Sequence, residues 1–339
     1  MSTHAASPPL RHYLLSYPRT ASNLVVKILH LDSQPSVSSG ELDGGYFFMR
    51  ADDMLIEPHF RTKSVADWTS EERSQVQKCY QGCFDDMRTW LDSQHARGQC
   101  VFVKEHTTFL ARPEERSRLV LGTGIHGAPL TVEDTAGSTW SDQNFTVLPD
   151  EFLQTWLPTF LIRHPALAFP SYYRTIVKMR GNEGAAADDY ASFMTSVQWS
   201  RQLHDLYLQW RDKLPCSADK RDVWPIVLDA DDVISSPDTM TLYCHMLDMD
   251  PAKLRFTWDE LKQNHLLHMA PCQQVMRSTL LQSTGVIKAK AQSEIDIADE
   301  AEKWKTEFGA GAAQRIAKMV REAMPDYEYL RAKRLRADA

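Results

Sequence analysis

Four short apolar segments, separated by segments with helical periodicity, constrain the fold of this chain more than any other feature. They are HYLLSYP (12–18), CVFVKEH (100–106), TFLIRHP (159–165) and VWPIVLDADDV (223–233). Each has the length of a buried strand and ends in polar or charged residues. Strands that alternate with helices predict an α/β fold, with a central, mainly parallel sheet flanked by helices on both faces.

The longest predicted helix covers residues 69–98. It opens with Thr69 or Ser70 close to Glu72 and ends at Gly98, which is the pattern of a capped amphipathic helix. Other apolar periodicities predict helices over residues 188–214, 237–250 and 257–268, and a last helix that ends at residue 309.

The organisation along the chain predicts one main domain. Residues 1–11 are polar with two prolines and are predicted to be a flexible tail. Residues 12–330 are predicted to form a single α/β domain. Within it, residues 112–150 are irregular and rich in Gly, Thr, Ser and Asp, which indicates an insertion or a lid.

Charge and composition exclude several classes of protein. A formal net charge of −7 and a pI of about 5.9 argue against a nucleic-acid partner, so any anionic ligand must be bound by a few local Arg and Lys side chains. No segment approaches ~20 apolar residues, so we expect no membrane partner. The six cysteines lack zinc-site spacing, and we interpret them as free thiols in a cytoplasmic protein without a metal.

The segment YPRTASNLVVKIL (17–29) has the pattern of a strand, a loop and a helix. A helix N-terminus offers backbone N–H groups and the positive end of the helix dipole to an anion. Arg19 adds a cation, and Thr20, Ser22 and Asn23 add short donors. The loop lacks the Gly-x-x-x-x-Gly-Lys pattern of nucleotide hydrolases. The competing interpretation is an ordinary turn in which Ser22 caps the helix.

Two further segments place charged side chains after predicted strands. Arg163 follows a strand, and Ser171 comes eight residues later in the next helix, so together they suit a second phosphate group. His106 lies at another strand end, where an imidazole is suited to act as a base near neutral pH, with Lys104 on the same side of the strand. Taken alone, each has an ordinary structural explanation: Arg163 would pair with a surface carboxylate and His106 would be a packing residue.

Together these segments follow the order found in one known family. YPRTASNL (17–24) resembles the phosphosulfate loop of the sulfotransferases that use 3′-phosphoadenosine 5′-phosphosulfate (PAPS). VKEHTTFL (103–110) resembles the Lys-Thr-His-Leu-Pro segment of the cytosolic enzymes, and RHPALAFPSYY (163–173) resembles their 3′-phosphate motif. PIVLDADDVISSP (225–237) resembles their Leu-Tyr-Glu-Asp-Leu strand and turn. The resemblance covers about residues 12–250 and is strongest in character to divergent fungal sulfotransferase-like proteins.

The resemblance implies a P-loop-like three-layer α/β sandwich and a role for each matching residue. It implies that Arg19 contacts the phosphosulfate, and that Arg163 and Ser171 bind the 3′-phosphate of PAPS or of its product PAP. It implies that His106 removes the acceptor proton and that Lys104 steadies the transferred group. The donors to the 5′-phosphate would come from the rest of the loop: Thr20, Ala21, Ser22 and Asn23.

The chain departs from the family pattern at two places. Ala21 stands where the loop usually has Gly, so either the loop uses ordinary φ angles or its approach to phosphate is looser. The Arg-Lys-Gly triplet that closes over the donor is absent, and Arg277, Lys288 or Lys290 would have to take its place. These departures affect donor binding more than the fold.

The leading hypothesis is therefore an enzyme that moves a sulfuryl group from PAPS to a hydroxyl group of a small organic acceptor. A second hypothesis keeps the fold but not PAPS, with His106 catalysing a proton transfer, elimination or cyclisation in natural-product metabolism. A third is a nucleotide-binding protein without catalysis. The acceptor and the oligomeric state are open, although five aromatic residues suit an apolar acceptor pocket or ordinary packing: Tyr46, Phe47, Phe48, Trp68 and Trp140.

Overall fold

The computed structural model describes residues 9–40, 44–122, 128–135, 138–186, 188–260, 269, 271–291 and 294–337. Its five strands form one parallel sheet flanked by helices, in the order β2-β3-β1-β4-β5. The strands are β1 (Arg11–Ser16), β2 (Val37–Ser39), β3 (Cys100–His106), β4 (Leu157–Ile162) and β5 (Ile226–Asp229). The predicted α/β class and parallel sheet are confirmed.

Helices occupy most of the chain between and after the strands. In chain order the α-helices among the described residues are α1 (Ser22–Leu29), α2 (Met49–Ile56), α3 (Pro58–Arg61), α4 (Ser70–Ala96), α5 (Thr107–Leu110), α6 (Pro113–Leu121), α7 (Asp150–Leu153), α8 (Pro165–Ala186), α9 (Ala191–Met194), α10 (Gln198–Gln209), α11 (Ala230–Ser235), α12 (Pro237–Met246), α13 (Pro271–Leu281), α14 (Ile297–Phe308) and α15 (Ala310–Arg331). None of the helices described is long and apolar enough to cross a membrane.

The chain divides into two compact units, each assembled from three stretches of sequence. The first unit contains Met1–Leu15, Leu31–Thr159 and Leu203–Pro225. The second unit contains Ser16–His30, Phe160–Gln202 and Ile226–Ala339. The candidate residues fall into both units, so the site is described below one unit at a time.

Helix α4 of the first unit forms where the sequence predicts it. The Thr69 hydroxyl accepts a hydrogen bond from Glu72 N at 3.2 Å, and Glu72 Oε2 accepts one from Thr69 N at 2.6 Å. This capping box supplies partners for two donors at a helix end. The helix buries the side that carries Val76, Tyr80 and other apolar residues of the core.

Other predicted elements have different bounds or end earlier. The predicted helix 188–214 is two helices, α9 and α10. The strand predicted over 223–233 is only β5, because Asp229 accepts a hydrogen bond from Asp231 N and starts α11. Of the predicted helix 257–268, residues 257–260 are not helical, with Thr257 in an isolated bridge to Gly285, and 261–268 lie outside the described residues.

The predicted tail and lid are only partly described. Residues 1–8 lie outside the described residues, residues 9–10 form no helix or strand, and Arg11 begins β1. In the segment 112–150, residues 123–127 and 136–137 lie outside the described residues, and the rest contains α6 and the start of α7. A role as a lid stays a prediction, as does a single domain over 12–330.

Candidate active site

The loop between β1 and α1 contains two residues other than glycine in a left-handed backbone conformation. Arg19 and Ala21 both have positive φ angles, 72° and 68°. Ala21 is the residue before α1 and Ser22 is the first residue of the helix, so the competing interpretation, in which Ser22 is the N-cap, is wrong. Ala21 therefore adopts the left-handed conformation that glycine normally provides in such loops. The first N–H groups of α1 have no acceptor within the helix, as at any helix start.

Tyr17, just after β1, holds the backbone of Arg163 just after β4. The Tyr17 hydroxyl accepts a hydrogen bond from Arg163 N at 2.9 Å and donates one to Arg163 O. Burial raises the pKa of Tyr17 far above its ordinary value, so the hydroxyl keeps the proton that it donates. Arg163 also donates from Nη1 to the carbonyl of Arg19 at 3.2 Å, which ties the loop to the end of β4.

The sequence-predicted anion ligands of the second unit lie together. Arg19 Nε donates to Ser171 Oγ at 3.0 Å, and its Nη1 donates to the carbonyl of Met276. Ser171 lies in the second turn of α8, and the Thr20 hydroxyl turns back to the carbonyl of Tyr17 at 3.0 Å. The structure thus places Arg19, Arg163 and Ser171 close together in this unit, and their roles stay a prediction.

Lys290 completes a group of cations, which we call the cation cluster: Arg19, Arg163, Arg174 and Lys290. The Lys290 carbonyl accepts a hydrogen bond from Arg163 Nη2 at 3.3 Å, and Nζ donates to Thr279 Oγ1 at 2.9 Å. Burial, followed by the charges of the three arginines, lowers the pKa of Lys290. The hydrogen bonds of Arg163 to the carbonyls of Arg19 and Lys290 place three of these residues next to one another.

One buried hydrogen-bond donor of the cation cluster has no partner among the described residues. Arg163 Nε is buried and has no hydrogen-bond partner there. Burial lowers the pKa of Arg163, while Asp231 and Asp229 oppose the effect. Such a half-used guanidinium is a donor for an oxygen-rich anion. Arg174 is more fully paired, since its Nη2 donates to Glu307 Oε2 at 2.8 Å.

A second group lies at the end of β3 in the first unit, and we call it the base cluster: Tyr46, Lys104, Glu105 and His106. The Tyr46 hydroxyl and His106 Nε2 are 3.3 Å apart, at hydrogen-bond distance. Lys104 Nζ lies 4.5 Å from the centre of the Tyr46 ring, a cation–π contact. Lys104 and His106 thus share one side of the strand, as the alternation predicts.

Tyr46 reaches His106 because the chain before it pairs with β3. Lys104 N donates to Gly44 O at 2.7 Å, and Tyr46 N donates to Lys104 O at 2.8 Å. A Cβ atom at Gly45 would lie 2.0 Å from the Lys104 carbonyl oxygen, so only glycine allows this approach. The sequence indicated Tyr46 only as a pocket or packing residue, so its contact with His106 was not predicted; the preceding Gly-Gly pair is the signal for it.

The base cluster contains two buried groups with pKa values near neutrality. Burial lowers the pKa of Lys104 to about 7, although the charge of Glu105 opposes the effect. Burial raises the pKa of Glu105 to about 8, although hydrogen bonds from the backbone of Phe48 and His106 oppose it. Glu105 Oε2 accepts from Phe48 N at 3.2 Å. Burial thus moves the pKa values of both groups toward neutrality, as is common at functional sites.

Three of the other aromatic residues that the sequence left open between pocket and packing lie against neighbouring rings: Phe47, Phe48 and Trp68. Phe47 lies against Trp90, with ring centres 5.4 Å apart, and Phe48 is buried beside Tyr80. Trp68 packs edge-on against Phe60 at 5.5 Å. Phe109 instead joins the base cluster, with its ring centre 5.0 Å from that of His106. Tyr46 and Phe109 are the aromatic side chains we find beside the base in the part of the chain described.

No group of three or more His, Cys, Asp or Glu side chains suited to a metal ion occurs among the described residues. A strand, a loop and a helix N-terminus in a parallel α/β sheet form an arrangement that is common in proteins that bind phosphate-bearing ligands. Cations from three segments of the second unit extend that site. The arrangement is typical of group-transfer proteins that use nucleotides.

The chain belongs to the sulfotransferase family. It is 57% identical over 339 residues to "Sulfotransferase ppzF" of Metarhizium rileyi, with 100% of this chain and 99% of the relative covered. It is 58% identical over 333 residues to the protein of the same name from Metarhizium majus, with 97% and 98% covered. No family model matches the chain. A sulfotransferase domain of the Synechococcus PCC 7002 olefin synthase is 15% identical with a TM-score of 0.40, over 90% of this chain and 97% of that domain.

Proposed function

We propose that the protein transfers a sulfuryl group from PAPS to a hydroxyl group of a small organic acceptor. The observation that carries this proposal is the cation cluster of the second unit. In a protein with net charge −7, four cations converge on one loop and one helix N-terminus. That concentration of positive charge has a use only if an anion with several charges binds there.

The resemblance to the sulfotransferases implies which residues bind each end of the donor. By that resemblance Arg163 and Ser171 bind the 3′-phosphate, and the spare donor at Arg163 Nε and the hydroxyl of Ser171 support this role. Arg19 and the backbone of residues 20–23 bind the 5′-phosphosulfate. Lys290 takes the place of the missing Arg-Lys-Gly triplet. Its carbonyl already contacts Arg163, whereas nothing described connects Lys288 with the cluster.

The reaction forms a bond between the acceptor oxygen and sulfur and breaks the bond between sulfur and the 5′-phosphate oxygen. His106 takes the proton from the acceptor hydroxyl, and PAP leaves with the added negative charge on its phosphate. Arg19 stabilises that charge, and protonated Lys104 stabilises the charge on the sulfuryl oxygens. Positioning and electrostatic stabilisation supply most of the rate in such transfers, and a placed base contributes about 10²–10⁴-fold.

Tyr46 gives His106 a defined orientation in this proposal. A ring nitrogen that is held by a hydroxyl faces a fixed direction, and its other nitrogen is set to the opposite protonation state. The Tyr46 hydroxyl also occupies the position from which the hydroxyl group of the sulfuryl acceptor would approach His106 Nε2. The sulfuryl acceptor therefore either displaces the Tyr46 hydroxyl or contacts Nε2 together with it. The proposal further places the protein in the cytoplasm, which suits the five described cysteines, all of them free.

A second candidate function has one observation in its favour. Lys104 and Glu105 have pKa values of about 7 and 8 beside His106, a set of groups that also suits proton transfer without a donor. In that case the protein would catalyse a proton transfer, elimination or cyclisation with the base cluster alone.

Calorimetric titration of the full-length protein with PAP and with AMP tests the donor assignment. We expect PAP to bind at least about tenfold more tightly, because only PAP has the 3′-phosphate and each charge-assisted hydrogen bond contributes about 1.5–3 kcal/mol. Arg163→Gln should remove that difference, and Arg321→Gln, an exposed arginine of the same unit, should not.

The outcomes separate the two functions. Equal binding of PAP and AMP by the native protein would show that the assignment of Arg163 and Ser171 is wrong. No binding of either nucleotide would favour the second candidate, in which the base cluster acts without a donor. Binding of PAP with no turnover of any phenol or alcohol would favour a nucleotide-binding protein without catalysis.

A further inference from the structure

Tyr46 of the base cluster carries the same reactive group as an acceptor of the proposed transfer. An acceptor must place a hydroxyl group within hydrogen-bond reach of His106 Nε2 in order to give up its proton there. The Tyr46 hydroxyl lies 3.3 Å from Nε2, and catalytic contacts are often this long before a substrate binds. A phenol of the chain itself therefore stands at the proposed base.

The backbone of Tyr46 has a conformation that an aromatic residue rarely adopts. Its φ angle is 63°, in the left-handed region, where a bulky L side chain is strained. Such strain persists only where the surrounding structure enforces it, and it is concentrated at functional sites. This conformation is an observation separate from the distance between the hydroxyl and the imidazole, and it also indicates a use for the side chain.

The end of β3 enforces this conformation. Tyr46 N donates to Lys104 O at 2.8 Å, and Met49 N donates to Tyr46 O at 3.2 Å, so the backbone is held on both sides of the residue. The preceding residue, Gly45, lies so close to Lys104 that a Cβ atom there would clash with its carbonyl oxygen. The direction of the Tyr46 side chain toward His106 is therefore fixed by the backbone.

The surroundings of the Tyr46 ring suit a hydroxyl that acquires negative charge. Lys104 Nζ lies 4.5 Å from the ring centre, and an ammonium group at this distance attracts a negative charge that forms on the phenol. Phe109 packs edge-on against the ring, with 5.9 Å between the ring centres. Tyr46 is partly exposed, so a small group can approach its side chain.

We propose, on the basis of the sulfuryl transfer proposed above, that Tyr46 is a self-modification site, which receives the sulfuryl group of PAPS when no acceptor is bound. The Tyr46 oxygen forms a bond to sulfur, and the bond between sulfur and the 5′-phosphate oxygen breaks. His106 takes the phenol proton, and PAP leaves with the electron pair of the broken bond. The product is a tyrosine O-sulfate in the place of an acceptor hydroxyl, so transfer stops after a single turnover.

Incubation of the full-length protein with PAPS alone tests the proposal. Intact-mass spectrometry follows the addition of SO₃ to the chain, chromatography measures the PAP released, and peptide mass spectrometry locates the sulfate ester. We expect a single SO₃ group on Tyr46, and a release of PAP that stops at one equivalent of protein. If Tyr46 only packs or only orients His106, the mass of the chain will not change.

Three variants separate self-modification from general reactivity of tyrosines. Tyr46→Phe keeps the aromatic ring and should add no SO₃. His106→Ala should slow the addition by at least about 100-fold, the lower end of what a placed base contributes. Tyr329→Phe is the matched control and should react like the native protein. Tyr329 is also partly exposed and its ring also lies beside cations, those of Arg201 and Lys333, but it belongs to the second unit.

Calorimetric titration with PAP separates the failure of this proposal from the failure of the proposed function. A protein that binds PAP and sulfates phenols or alcohols, but gains no mass with PAPS alone, would overturn the self-modification and leave the proposed function in place. An SO₃ group on another residue, or an equal gain in mass by Tyr46→Phe, would overturn it as well. A protein that neither binds PAP nor transfers a sulfuryl group would overturn both.

Discussion

The cation cluster and the base cluster solve different problems with different kinds of side chain. The first relies on guanidinium groups, which stay charged throughout the ordinary pH range, and its central residue Arg163 is held by Tyr17 through its backbone. The second places His106 beside two buried groups: burial lowers the pKa of Lys104 to about 7 and raises the pKa of Glu105 to about 8. We infer that the affinity of the cation cluster for an anion is independent of pH over the ordinary range, and that only the protonation of the base cluster changes with pH. Four changes test this contrast, from the largest expected effect to the smallest.

His106→Ala should separate the clusters most clearly. Loss of the base should lower turnover by about 10²–10⁴-fold, while PAP affinity in calorimetry stays within about twofold. Turnover is measured as PAP released with an acceptor found by screening phenols and alcohols. His59→Ala, at a histidine whose side chain is 60% exposed in the same unit, is the matched control. A large loss of PAP affinity in His106→Ala would contradict the separation of roles.

Glu105→Gln should make the stability of the protein less dependent on pH. The folded pKa of Glu105, about 8, lies above its ordinary value of 4.5, so its contribution is full below about pH 4.5 and is lost as the pH rises through about 8. Gln does not titrate and keeps the acceptor for Phe48 N. We therefore expect the variant to gain about 3 to 4 kcal/mol relative to the native protein between about pH 5 and about pH 8.

Urea denaturation at the two pH values measures this gain in the free energy of unfolding. Glu57→Gln, an exposed glutamate of the same unit, should show no such trend. If the free energy of unfolding of Glu105→Gln changes with pH in the same way as that of the native protein, Glu105 is already ionised at neutral pH. Its folded pKa would then lie well below the value that its burial indicates.

Lys290→Gln should weaken PAP binding by about tenfold, the effect of losing one partly exposed charge contact. Lys288→Gln provides the matched control, since Lys288 is two residues away and also exposed. Titration calorimetry with PAP compares the two variants. Equal losses would show that the segment acts through general positive charge, and the assignment of Lys290 to the donor would be withdrawn.

Ala21→Gly should have the smallest effect and a favourable one. Glycine adopts the φ angle of 68° at this position without the strain that alanine has, which should raise the free energy of unfolding by up to about 1 kcal/mol. The greater conformational entropy of glycine in the unfolded chain reduces this gain. Thermal unfolding with and without PAP distinguishes stability from binding. A destabilised Ala21→Gly protein would mean that the alanine methyl group makes packing contacts that outweigh its strain.

Local patterns predicted the parts of the fold and site that depend on local interactions. The capping box of Thr69 and Glu72 marks the start of α4, and strand alternation places Lys104 and His106 on one side of β3. The interval from Arg163 to Ser171 also lies within one strand–helix connection. The short strand β2 and helix α2 lack comparable signals and were missed, and α15 was missed because Gly309 looked like a final helix end.

The remaining features depend on contacts between distant residues. Lys290 meets Arg163 across 127 positions, and Tyr46 meets His106 across 60. The positive φ angle of Ala21 has no sequence signature, because alanine ordinarily avoids that conformation. Ser22 looked like the residue before α1, but the course of the loop puts Ala21 in that position and makes Ser22 the first residue of the helix.

The division of the chain into interleaved stretches has a consequence for its synthesis. The chain passes between the two units at residues 15–16, 30–31, 159–160, 202–203 and 225–226. A ribosome releases residues in order, so the first unit has all its parts only after Pro225 has emerged, and the second only after the final helix. Neither unit is a continuous stretch that a truncated gene could encode. During synthesis both units are therefore incomplete at the same time. If synthesis stops before α15, the carboxylate of Asp229 lacks the hydrogen bond that the Tyr327 hydroxyl donates to it.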